Sequence, residues 1–324
     1  MKLQAAASFA GGSPLWRAFV VLRADDMERR VRVGSLSLRD LCFTYDEDLV
    51  KGVQHHRIAP DEVPEEKLVL KHLDLEVADG EFLCLVGHSG CGKSTTLRIL
   101  AGLQKPIAGT IETNGNPIEG PGLDRSVVFQ NYSLFPWMTA RKNVEFGIKQ
   151  ASIELSRGLS KGQISDIADE YLAKVSMRKA ADFYPYQLSG GMRQRVAIAR
   201  ALAMDTEVLL FDEPFGALDI KTRRELQMLM EDLWVSGRKK TAVFVTHDIE
   251  EALLLADRIV FMSAGEFRDE FEVGAPRPRV PEVYFEAPEY KRMHAHLLDL
   301  FYKAEETKLD QADREQVFDG GATL

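Results

Sequence analysis

Several things that would each have set the class of this protein are missing from its sequence. No apolar run in its 324 residues approaches the eighteen or so that a spanning helix needs, so membrane association would have to pass through a protein partner. Cysteine is scarce. Cys42, Cys84 and Cys91 are odd in number and show neither CxxC nor zinc-like spacing, which excludes a disulfide scaffold and makes a reducing compartment the default. Positive charge is not in excess either: at a formal net charge of −9, whole-molecule electrostatics draws the chain neither to nucleic acid nor to an anionic membrane, and no nucleic-acid partner is expected. Internal repeats and low-complexity tracts are absent. What is present, at 45% hydrophobic, is a composition able to bury one large core or two modest ones.

The organising stretch is Phe82 to Gly102, FLCLVGHSGCGKSTTLRILAG. Phe82 to Val86 is an unbroken apolar run, the pattern of a strand buried on both faces of a parallel sheet. Gly87, His88, Ser89, Gly90, Cys91, Gly92, Lys93 and Ser94 then fit GxxxxGKS, followed by Thr95 and a periodic segment with Leu97, Leu100 and Ala101 on one side. Glycines let backbone N–H groups converge on an anion at a helix N-terminus, where the dipole already favours negative charge. Lys93 is placed to neutralise β- and γ-phosphates and the Ser94 hydroxyl to ligate Mg²⁺. Within this loop Cys91 sits near a helix N-terminus and Lys93, surroundings that favour a thiolate, so it is expected to react before Cys42 and Cys84.

Further along, alternation at Leu36 and Leu38 and at Leu73, Leu75 and Val77 predicts half-exposed antiparallel strands. The acidic segment Asp46 to Lys67, with Pro60 and Pro64, reads as a mobile surface loop, and Asn114-Gly115 marks a hairpin. Buried strands are expected at Val127–Phe129, Val208–Phe211, Ala242–Val245 and Ile259–Met262. Ile164, Ile167, Ala168, Tyr171, Leu172 and Val175 follow helical spacing within a helical insertion at about 136–188. Residues 1–24 hold no acidic residue and partly look like a transit segment; 1–35 reads as an extension, expected to be disordered. Pro288 and the spacing of Met293, Leu297, Leu300, Phe301 and Ala304 make 281–324 a helical extension. The core, 36–280, is an α/β fold of the P-loop NTPase type: a parallel sheet with an antiparallel β subdomain and an inserted α-helical subdomain.

Two further motifs carry chemistry. VLLFDE, Val208 to Glu213, brings two carboxylates to the C-terminal end of a strand, Asp212 suited to the Mg²⁺ shell and Glu213 to general-base activation of water. LSGGMRQ, Leu188 to Gln194, places Ser189 as an N-cap with Gly190 and Gly191 exposing backbone amides, a second anion cradle beside one already complete.

With that motif the chain resembles the ATP-binding cassette family, whose signature is LSGGQ, Met192 standing here for the usual Gln. The resemblance runs over about residues 36–290. It implies Gln130 as the Q-loop glutamine, grouped with Ser94 and Asp212 around Mg²⁺ and with Lys93, Glu213 and His247 in catalysis. It also implies Ala217-Leu218-Asp219 as the D-loop, His247 as the switch histidine, and Tyr45 as the ring stacked on adenine. His55, His56, His294 and His296 read as structural or exposed, as does the His88 ring. The resemblance further implies ATP and Mg²⁺ as cofactors and a head-to-tail homodimer in which Ser189, Gly190 and Gly191 close on the nucleotide of the other copy. The implied partners are an integral membrane permease and, through it, a substrate-binding protein, with the subunit peripheral on the cytoplasmic face of the inner membrane. FQNYSLFPW, Phe129 to Trp137, is most similar to the ATPases of nitrate, taurine and aliphatic sulfonate importers. The competing readings are an ATP-binding cassette ATPase outside transport, or another P-loop nucleotide-binding protein. A GTPase would show Asn-Lys-x-Asp, which this chain lacks, and repair-type members carry a long coiled coil between motifs, where here no heptads are sustained.

Overall fold

The computed structural model describes residues 34–216, 218–236 and 240–319, with side chains for all of these except 236 and 307–319; expectations for 1–33 and for Ala217 fall outside the described residues. The apolar run becomes strand β3 (Phe82–Val86), buried along its whole length. It lies inside a six-stranded sheet, between β8 (Thr241–Thr246) and β9 (Arg258–Ser263), both parallel to it. Parallel pairing continues outward through β7 (Val208–Asp212) to β6 (Arg125–Val128), while β10 (Glu266–Glu272) closes the other edge antiparallel to β9.

Both faces of β3 are covered, which is why its sequence does not alternate in polarity. Phe82, Cys84 and Val86 pack on one side against α6 (Ile220–Ser236) and α7 (Ile249–Leu255) through Leu226 and Leu253, with Leu297 of the last helix. Leu83 and Leu85 face the other way, into a cluster with Leu97 and Ile99 of α2 (Lys93–Leu100) and with a second sheet. That sheet is four-stranded, in the order β2 (Leu70–Val77), β1 (Leu36–Phe43), β4 (Ala108–Thr113), β5 (Asn116–Pro117), with antiparallel pairing throughout. The expected hairpin is there: Asn114 at φ 53° and Gly115 at φ 74° are both left-handed, as a tight two-residue turn requires.

A third cluster belongs to the helical layer. Ala140, Val144 and Ile148 of α3 (Ala140–Glu154), Ala168 and Leu172 of α4 (Lys161–Lys174), and Val196 and Ala199 of α5 (Gly190–Ala203) bury one another. Ser160 and Gln163 close a capping box at the start of α4. After the short α8 (Pro281–Tyr284), α9 (Pro288–Asp319) begins with Pro288 and lays Tyr290, Leu297 and Ala304 on the core.

The segment after β1 is not the loop its composition suggests. It contains α1 (Glu47–Gln54), capped by Asp46, which accepts from the backbone N–H groups of Asp48 and Leu49, and it buries Val63. The acidic start that reads as solvated chain is a favourable charge at a helix N-terminus. Gly52 allows Ile58 to fold back against the helix: a Cβ there would lie 2.6 Å from the Ile58 Cδ1. Among the described residues no helix is long and apolar enough to cross a membrane.

Candidate functional site

Parallel pairing brings the C-terminal ends of β3, β7 and β8 side by side, the edge at which open α/β sheets bind ligands. From β3 the chain turns through the glycine loop into α2. Gly92 caps α2 at φ 111°, and a Cβ there would meet the Leu70 Cδ2 at 2.6 Å, so only glycine serves. Lys93, 4% exposed, donates from Nζ to the carbonyls of Gly87 at 2.7 Å and His88 at 2.8 Å, which holds the ammonium inside the loop.

At the end of β7, Asp212 Oδ1 accepts from the Ser94 hydroxyl at 2.6 Å, two hard oxygen donors within the spacing of adjacent ligands on one small cation. Glu213 follows at φ 43°, a left-handed conformation that a glutamate adopts only where its surroundings impose it. Its Oε2 lies 3.3 Å from Nδ1 of His247, just past the end of β8. Ser89, Gly90, Gly92, Lys93, Ser94 and Thr95 line a cleft of about 530 Å³ together with Gln130, Glu213, Tyr45 and Val69. The Tyr45 hydroxyl is 3.0 Å from the Thr95 hydroxyl, and its ring is half exposed.

Gly87, His88 and Cys91 do not line this cleft. Cys91 is 3% exposed, no more than Cys42, and is packed in the cluster beneath the loop, its sulfur 3.9 Å from Lys93 Nζ and 2.9 Å from where a Cβ on Gly87 would lie. The signal that the loop spacing could not carry is the second use of position 91, as core. His88 turns outward instead, donating from Nε2 to the Phe301 carbonyl on α9 at 2.9 Å with the two rings edge to face. No local pattern could have linked two residues so far apart.

The signature residues are also outside the cleft. Ser189 caps α5, accepting from the Met192 N–H at 3.3 Å. A Cβ on Gly190 would lie 3.1 Å from the Tyr132 hydroxyl, and one on Gly191 would lie 2.4 Å from the Thr222 Cγ2. Asp219 accepts from the Thr222 N–H at 3.0 Å near the start of α6, and this bond holds its carboxyl below the usual range. Arg195 pairs with Glu225 at 2.6 Å and Arg193 lies over the Tyr132 ring, so both serve local structure.

Beside the His247 turn, sequence reading overlooked Glu251. It is buried in α7 with the Gln227 amide at 3.3 Å, and burial pushes its pKa up to about 7. A carboxyl raised above its unfolded value of 4.5 contributes most stability below that pH and loses it as pH rises through 7. Between about pH 5.5 and about pH 8 the parent protein is expected to lose on the order of 1–3 kcal/mol that Glu251→Gln does not lose. Denaturant midpoints at both pH values check this; parallel losses in the two proteins would refute it.

The profile of the family described as "ABC transporter" matches residues 70–216. The nitrate import ATP-binding protein NrtD of Synechococcus elongatus is 44% identical over 239 residues, 73% of this chain and 85% of that protein. The bicarbonate transport ATP-binding protein CmpD of the same species is 45% identical, over 72% of this chain and 84% of that one. A solved dimer of the ATP-binding cassette MJ0796 bound to ADP and Pi superposes at a TM-score of 0.61 and 31% identity, over 74% of this chain and 100% of that one. With the phosphate loop, the paired carboxylates and the capped signature helix in one such cassette, the chain belongs to the ABC transporter family and is one of its ATPases.

Proposed function

We propose that this chain is the ATPase subunit of an importer for a small anion of the nitrate, bicarbonate or sulfonate kind, acting as a head-to-tail dimer beneath a membrane permease. The anion class rests on the relatives named for nitrate import and for bicarbonate transport and on the segment Phe129 to Trp137. The observation that carries the dimer is the incomplete cleft: Lys93, Ser94, Gln130 and Glu213 line it, whereas Ser189, Gly190 and Gly191 do not. A second copy supplies the missing cradle in trans, with Asp219 near the junction. The permease places the subunit on the cytoplasmic face of the inner membrane, and a substrate-binding protein acts through the permease.

Each residue then has a task. Lys93 and the loop N–H groups hold the β- and γ-phosphates, and Tyr45 stacks on the adenine. Ser94, Asp212 and Gln130 fit Mg²⁺, because an oxygen-only donor set suits a hard dication; when bound, such an ion offsets the charge that develops on the phosphates. Glu213 accepts the proton of the attacking water, and His247, already against its carboxylate, holds that side chain in line.

Docking to the permease is assigned to the entry of the helical layer. Trp137 is 69% exposed and stands 5.5 Å from the Phe135 ring, beside a groove of about 860 Å³ lined by Met138, Phe146, Ile164 and Tyr184. Exposed aromatics in such a position anchor interfaces. Trp137→Ala is expected to lose co-purification with the integral membrane subunit while the isolated ATPase keeps its basal rate. A variant that loses basal hydrolysis as well, or one that still co-purifies fully, contradicts this assignment.

A further inference from the structure

Asp40, Cys42 and His72 have no part in the nucleotide cleft. They lie where β1 pairs with β2, and the pairing there is broken twice, between Leu38 and Leu41 and again between Leu41 and Phe43. Asp40 at φ 49° and His72 at φ 47° are both left-handed. The bulge resets the alternation, so Leu38, Leu41 and Phe43 all reach the core cluster while Cys42, although buried, joins none of the clusters. Its sulfur faces His72 instead.

We propose that Asp40, Cys42 and His72 form a binding site for a divalent transition-metal ion of the zinc class. The Nδ1 of His72 lies 2.6 Å from Asp40 Oδ1 and 3.6 Å from Cys42 Sγ, and the three donor atoms all fall within 4.8 Å of one another. Tetrahedral zinc, with bonds of about 2.3 Å to sulfur and about 2.0–2.1 Å to nitrogen, separates those two ligands by about 3.6 Å. Sulfur and nitrogen already stand at that distance. The carboxylate must withdraw by less than about 1 Å to reach its own ligand spacing, and the Asp40 side chain is exposed enough to do so. Asp74 accepts from the Asp40 N–H at 3.0 Å, and Cys42 Sγ accepts from the His72 N–H at 3.4 Å, so the backbone that aims the ligands is itself held. Water would complete the fourth position.

The donor set decides the ion. Thiolate, imidazole and carboxylate together favour Zn²⁺ or a neighbouring d-block dication over Mg²⁺ or Ca²⁺, which prefer oxygen alone. The ion would cross-link β1 to β2 immediately before Phe43, whose ring packs edge to face on Tyr45 at 4.8 Å.

The test uses the full chain, stripped of metal and free of nucleotide, titrated with Co²⁺ as the probe. One equivalent is expected to bind with tetrahedral d–d absorption and a sulfur-to-cobalt charge-transfer band, both displaced by Zn²⁺. Cys42→Ser should remove the charge-transfer band, and Cys91→Ser should leave it intact. His72→Asn, which tolerates the left-handed backbone and so preserves the fold, should weaken Co²⁺ binding by at least the roughly tenfold that losing a supporting group costs. Absence of a charge-transfer band at one equivalent overturns the proposal, and so does a band that survives in Cys42→Ser.

Discussion

Glu213→Gln is expected to lower ATP turnover by about 10²–10⁴-fold, the usual contribution of a positioned general base, while ATP still binds. The amide keeps the size and shape of the side chain, whose carboxylate lies 3.3 Å from His247 Nδ1 in the parent, but it cannot take up a proton from water. The backbone at φ 43° is unaffected, so the change is confined to chemistry. With hydrolysis blocked, the ATP-bound dimer should persist, since the cleft of one copy would stay closed by the signature of the other. Phosphate release and size-exclusion chromatography in ATP and Mg²⁺ read the two effects separately. Turnover within about threefold of the parent would remove Glu213 from the role of base. A slow variant that stays monomeric would instead leave the base in place and refute the head-to-tail dimer.

Arg279→Ala is expected to be the most destabilising single change outside the cleft, by about 3–5 kcal/mol, as for a buried charge whose partners are left behind. Arg279 is 2% exposed, and its guanidinium donates to the carbonyls of Leu254 at 2.9 Å and Ala256 at 2.6 Å at the end of α7, and to Val273 and Ala275 beyond β10. These are carbonyls that a helix end and a chain turn cannot satisfy for themselves. Its own N–H donates to Glu231, which is fully buried and also pairs with Arg277. Urea denaturation reads the loss as a lower midpoint at unchanged slope. Arg279→Lys should recover only part of it, because an ammonium cannot fork between so many acceptors. Because α7 starts two residues after His247, the same variant should also loosen the turn that carries His247. An unfolding free energy within about 0.5 kcal/mol of the parent's would show that water satisfies those carbonyls.

Much of this was legible beforehand wherever the physics is local. Phe82 to Val86, Val208 to Phe211 and Ala242 to Val245 are continuous apolar runs because both faces of those strands are covered, and burial on two faces leaves that mark in sequence. Asn114 with Gly115 and Pro288 each act within a few residues, so the hairpin and the last helix could be read directly. Composition misled at Glu47 to Gln54, where charge density reads as solvated loop and the cap at Asp46 reads as helix. The phosphate loop was legible for its backbone but not for Cys91, since spacing says where a residue lies along the chain and not which way its side chain turns.

The sequence by itself determined the order of the nucleotide motifs, the strands that present them and the family to which they belong, because each motif is a short-range solution to binding an anion or burying a strand. Only the tertiary structure decided what depends on pairs remote along the chain. It turned Cys91 into core and joined His88 to Phe301. It also bulged β1 and β2 so that Asp40, Cys42 and His72 meet. Sequence spacing carries no trace of such contacts, since strand register and helix docking, set by packing of the whole core, bring those side chains together.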